Sequence, residues 1–194
     1  MMPDPRDTII STNPLSPEHL QALTDARLRS KKIRRAASAA ALSGWSLALF
    51  ALITAPFGMF GDWLSIITAI GLTICAINEL RGSSMLKRFN PRATTLLALN
   101  QLGLCLLILF YCAASIYQTL HSPSLKQASA NPELDDMMSG MILPLTYGLY
   151  GILAIVGGLT TLLTAWYYQS RAKLIRAFLS QTPDWVLQTL RAAG

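Results

Sequence analysis

Charge is scarce in this chain: only 13% of its 194 residues are charged and 52% are hydrophobic, against about 25% charged in an ordinary soluble domain. Cysteine and histidine are also sparse, with three and two copies. No Cys-x-x-Cys spacing occurs among Cys75, Cys105 and Cys112. All three fall inside apolar runs, and Cys105 and Cys112 sit about 10 Å apart along one helix, too far for a disulfide. They are read as small, soft packing residues. His19 and His121 lie outside the apolar runs and on opposite sides of the expected membrane, so they cannot jointly hold a haem or a zinc ion. Neither is expected to be a ligand. Glu133, Asp135 and Asp136 offer hard oxygen donors, but three acids near Asn131-Pro132 are read as a solvated helix start. Gly157-Gly158 lacks the strand and loop of a phosphate-binding motif and is read as close packing or local flexibility. No nucleophile, base and metal constellation stands out. The chain is therefore expected to be non-enzymatic and to carry no cofactor.

What is present is four long apolar runs. They predict an all-α integral membrane protein, a four-transmembrane-helix bundle with basic cytoplasmic helical extensions at both termini. The spans are placed at about 36–57, 63–80, 93–119 and 141–168, each long enough to cross about 30 Å of hydrocarbon. Residues 1–14 are polar, with Pro3, Pro5 and Pro14, and are read as a disordered tail; 15–192 form a single four-helix membrane domain. About 35 mostly polar residues precede the first run, which argues against a secretory signal.

The net charge of +6 and the pI near 9.5 could suggest nucleic acid. The basic residues instead flank apolar runs, the arrangement that orients membrane helices, and no nucleic-acid partner is expected. With both termini cytoplasmic, 15 of the 16 Lys and Arg residues lie inside and only Lys126 lies outside. That one-sidedness predicts a multi-pass protein of a cell membrane, specifically a bacterial inner membrane, with the lipid bilayer as its first partner.

Apart from Arg6 and Lys126 the basic residues form three groups, the last being Arg171, Lys173, Arg176 and Arg191 after the fourth span. Arg27, Arg29, Lys31, Lys32, Arg34 and Arg35 fall all round a helix that starts at Ser16-Pro17, so it has no clean apolar face with which to lie flat on a membrane. The hinge at 78–92 carries Arg81, Lys87, Arg88 and Arg92 between the second and third spans. Lys31, Lys32, Arg34, Arg35, Lys87 and Arg88 are candidate anionic-lipid contacts, weighed against a plain topology signal, which is preferred.

Small and polar side chains recur at helical spacing. Ala36, Ala40, Gly44 and Ala48 mark the first span, and Ser65, Thr68, Gly71, Cys75 and Asn78 the second. Thr94, Ala98, Gln101, Cys105, Ile108, Cys112, Ser115 and Thr119 mark the third, and Gly151, Ala154, Gly158, Thr161 and Ala165 the fourth. Such seams allow close helix approach in lipid. Trp166, Tyr167 and Tyr168 are read as an interfacial aromatic belt, and Pro144 as a kink near the outer end of the fourth span.

No charged residue falls in the apolar centre of a span. Glu79 and Asp62 are placed at span ends, where Arg81 or water neutralises them. Asn78, Glu79, Asn100 and Gln101 form a candidate polar interhelical cluster, either a headgroup or small-ligand site or, as preferred, interhelical hydrogen bonds. If the second helix runs past Gly82 to the boundary at Asn90-Pro91, Asn78 comes level with Gln101 and pairs with it or with Asn100. The functional expectation is a protein that binds a partner or serves as a subunit of a homo-oligomeric or heteromeric membrane complex. The alternative is an oligomeric small channel or carrier without an intramembrane charged relay.

Overall fold

In the computed structural model, residues 16–121 and 138–192 are described. The proposed tail at 1–14 and the segment containing Glu133, Asp135 and Asp136 lie outside them. The described residues contain no strand. Helix α1 spans Pro17–Met59, α2 Trp63–Lys87, α3 Arg92–Leu120, α4 Leu143–Gln181 and α5 Asp184–Ala192, and a π-helical turn at Met138–Ile142 leads into α4. Helices α1 to α4 are each long and apolar enough to cross a membrane.

Each boundary has a local cause. At the start of α1, the Ser16 side chain accepts from the His19 backbone N–H at 3.3 Å and Pro17 occupies the first turn, where its missing donor costs nothing. The basic stretch and the first span form one continuous 43-residue helix, about 64 Å long and so twice what the hydrocarbon requires. This helix runs through Pro56 to Met59 and turns at Gly61, whose φ of 90° suits glycine. The Asp62 carboxylate then caps α2, accepting from the Leu64 N–H at 3.1 Å and from the Ser65 hydroxyl. Asp62 is thus a helix cap, a role its expected neutralisation by water or Arg81 did not include.

The second helix ignores Gly82 and ends at Lys87. Its terminus is closed by Phe89 N–H donating to Leu86 O and Asn90 N–H donating to Met85 O, both at 3.0 Å. This is a Schellman closure with phenylalanine, at φ 57°, in the left-handed position usually held by glycine. Asn90 Oδ1 then accepts from Arg92 N–H at 3.0 Å, starting α3. Pro144 lies in the first turn of α4 and so does not kink a span interior.

Packing is uneven along the helices. Neighbours in sequence pack side by side, α1 on α2, α2 on α3 and α3 on α4, whereas α1 reaches α4 and α5 sparingly. The helices therefore pack mainly on their neighbours in sequence, with α1 and α4 in lighter contact. The main core, built from Ile33, Leu86, Phe89, Leu97, Tyr168, Ile175, Phe178, Val186 and Leu190, sits at the end holding the basic groups. Tyr168 is buried there and does not belong to an interfacial belt, while Trp166 is 73% exposed. Helix α5 lies on the protein, with Val186, Leu187 and Leu190 buried and the Trp185 ring edge-on to His19 at 4.9 Å.

Candidate functional site

A membrane chain has few means to hold a carboxylate away from water, and Glu79 uses several of them. Its side chain is fully buried, about 24 Å along α2 from Trp63 and so close to the basic boundary of a hydrocarbon slab about 30 Å thick. Oε1 accepts from Asn100 Nδ2 at 3.3 Å and from Gln101 Nε2, both on α3. Oε2 faces the Tyr168 hydroxyl of α4, the donor, at 3.5 Å. Asn100 Nδ2 is shared with the Cys75 carbonyl of α2 at 3.0 Å. Helix α1 closes the remaining side, because a Cβ added at Gly44 would lie 3.1 Å from Glu79 Cβ. Glu79 is thus the residue on which all four spanning helices converge.

Three of the four expected cluster members, Glu79, Asn100 and Gln101, are joined in this way. Asn78 is not part of the bonding: it is half-buried and lines a groove between α2 and α3 beside Asn100. Of the two neighbours expected for Asn78, Asn100 lines the same groove, whereas Gln101 bonds Glu79, one position along α2. The level of the match is right, and one residue's difference rotates a helical side chain by about 100°, which takes Gln101 to Glu79. Neutralisation of Glu79 by Arg81 or water is corrected too. Arg81 is exposed, and the hydrogen-bond partners of Glu79 are two amides and a phenol. Such neutral donors satisfy buried lone pairs that would otherwise be costly in a low-dielectric surround.

Tyr168 was missed as a member. A signal for it existed: the spacing of Gly151, Ala154, Gly158, Thr161 and Ala165 continues by three to position 168. A comparable signal existed on α2, where Ser65, Ala69, Leu72, Ala76, Glu79, Ser83 and Leu86 alternate by 4 and 3 and follow its inward face. Ser83 belongs to that face, donating to the Ala37 carbonyl of α1 at 2.7 Å.

The six candidate anionic-lipid residues do not make one patch. Lys31, Arg34 and Arg35 share a concave strip of α1 with Arg27, whereas Lys32 lies across the helix in a separate groove against Leu174 and Phe178 of α4. Arg34 Nη2 donates to the Leu190 carbonyl at 3.4 Å, which ties α1 to α5. Lys87 and Arg88 are exposed at the α2–α3 turn, and the Arg88 carbonyl accepts from Arg191 Nε at 3.2 Å. Cys75, Cys105 and Cys112 are free thiols, each buried.

The chain matches no protein-family model, no curated protein and no solved structure.

Proposed function

We propose that this chain is a non-enzymatic multi-pass membrane protein that binds a membrane partner or serves as a subunit of a larger complex, with its termini and basic end in the cytoplasm of a bacterial cell. The observation that supports this reading is the solitude of α4. In its most apolar stretch only 6% of residues are buried within the protein, against 39% for α3. Among the described residues nothing lies within 4 Å of a Cβ added at Gly148 or Gly151. A helix with open small-residue positions and a neighbour on one side has room for close approach by another transmembrane helix.

The test is the mass and composition of the particle extracted in mild detergent, with Gly151→Leu as the perturbing variant. A heteromeric or homomeric complex that Gly151→Leu disrupts supports the reading. A monodisperse monomer, identical for both forms, overturns it. Orientation is tested separately by labelling cysteines introduced at Ser129 and at the exposed Ser180. Labelling from outside intact cells at Ser129 alone fits cytoplasmic termini, and labelling at Ser180 alone reverses them.

A second reading, an oligomeric carrier or channel, gains from Glu79. A fully buried ionisable group at the meeting point of the spanning helices is the kind of group on which ion-coupled pathways depend. Cation-driven flux into vesicles that is lost in Glu79→Gln would favour this reading. Equal flux in both forms, at the level of empty vesicles, would remove it.

A further inference from the structure

Helices α2 and α3 are joined on their inner face by the bonds of Asn100 and Gln101 to Cys75 and Glu79, and leave a groove on their outer face. At the membrane-centre end, a Cβ at Gly71 would be 2.7 Å from Leu107 Cδ2, so the helices touch there. At the basic end, a Cβ at Gly82 would be 2.4 Å from Leu97 Cδ2. On the outer face between these contacts lies a groove of about 870 Å³, walled by Leu99, Asn100, Asn78 and Thr95, with Arg92 exposed at its basic end. Gly103 leaves its middle open, since among the described residues nothing lies within 4 Å of a Cβ there.

We infer that this groove holds one anionic phospholipid of the leaflet on the basic side. Length fits first. From Arg92 to Leu107 the groove follows α3 for about 22 Å. One leaflet, half of a hydrocarbon core of about 30 Å plus one headgroup layer, has nearly the same depth. The chemistry is graded in the same direction. Arg92 presents a planar guanidinium suited to a phosphate, Thr95 and Asn78 follow at the depth of glycerol and ester oxygens, and Ile74, Leu99 and Leu107 line the acyl end. A second copy's helix would instead bring its apolar surface against the exposed Arg92 at the mouth, with no partner charge to offset it. The inference rests on the four helices crossing a bilayer, which recovery of the protein in the membrane fraction checks independently.

The experiment is native mass spectrometry of the whole protein in mild detergent, supplied with phosphatidylglycerol or phosphatidylcholine of matched chains. One bound phosphatidylglycerol, preferred about five-fold or more, is expected for the natural chain, on the scale of one basic residue at an anionic surface. Arg92→Gln should abolish the preference while leaving some lipid bound, and Gly103→Phe should empty the groove of both lipids. A Cβ at Gly103 meets open space among the described residues, so the phenylalanine ring enters from the groove side, and Arg92→Gln alters an exposed side chain; an unchanged unfolding midpoint in both variants shows that the core is intact. Equal binding of the two lipids by the natural chain, or unchanged binding in Gly103→Phe, overturns the assignment. So does a disulfide between copies at Gly103→Cys.

Discussion

The basic end of this protein and its opposite half are built by different rules. At the basic end, parts of all five helices enclose Leu86, Phe89, Leu97, Ile175 and Val186 with no exposed surface, and cross-helix bonds such as Ser83 to Ala37 and Arg34 to Leu190 tie the ends together. In the opposite half, large apolar side chains such as Leu52, Leu106, Ile155 and Leu163 face outward. Water punishes exposed apolar surface, whereas lipid does not, so a core of the soluble kind at one end alone is the pattern expected of helices whose apolar halves lie in a bilayer. All five helices gather at the basic end, while the opposite half holds pairwise contacts such as Gly58 against Ile66 and Tyr111 against Tyr150.

That contrast can be broken most directly at Phe89. Its ring lies 5.0 Å from that of Phe178, and its backbone sits in the left-handed region. A phenylalanine there persists because burial outweighs the strain, which is of order 1–2 kcal/mol. Phe89→Ala retains the strain and loses the ring, so it should cost about 3–5 kcal/mol in reversible unfolding in mixed micelles. Leu163→Ala, in the opposite half, is expected to change stability little. Similar losses at the two sites would show that the two ends are not distinct.

The next effect is expected at Glu79, where the two regions meet. Glu79→Leu leaves the Gln101 amide and the Tyr168 hydroxyl without their acceptor, while Asn100 keeps the Cys75 carbonyl. With an unsatisfied buried donor worth about 1–3 kcal/mol, the loss should be roughly 3 kcal/mol. Glu79→Gln keeps an acceptor and should lose less than half as much. A Leu variant as stable as the natural chain would show that the cluster is an addition to the fold and does not fasten it.

Gly82→Ala comes third. Helix propensity alone favours the change by about 1 kcal/mol. Against this, the new methyl would stand 2.4 Å and 2.5 Å from Cδ2 and Cγ of Leu97, which has no exposed surface into which to move. Overpacking of this kind costs about 1–3 kcal/mol, so a net loss of about 1 kcal/mol is expected on the same titration. A gain in stability would show that the core at this end has slack. The smallest effect is set by Asp62, far from that core. Asp62→Ala removes the cap of α2 and should cost about 1 kcal/mol or less, with no change in the packing of the basic end.

The sequence by itself determined the four apolar helices, the starts at Ser16-Pro17 and Asn90-Pro91, and the gathering of positive charge at one end. Those are properties of neighbours along the chain: hydropathy over some twenty residues and donors left free in a first turn. The seams of the third and fourth spans were legible for the same reason, since their small and polar residues keep one period for several turns. What only the tertiary structure decided is which residue points where when two periods compete. On α2 the series through Cys75 and Asn78 and the series through Ala76 and Glu79 are equally regular, and both meet α3, but it is the second that brings the carboxylate to Asn100, Gln101 and Tyr168. The left-handed Phe89 and the convergence of the four helices on Glu79 were decided in the same way. Each depends on contacts between segments that are far apart in sequence, such as Phe89 with Phe178 and Glu79 with Tyr168, and no local pattern records a partner that lies 89 residues away.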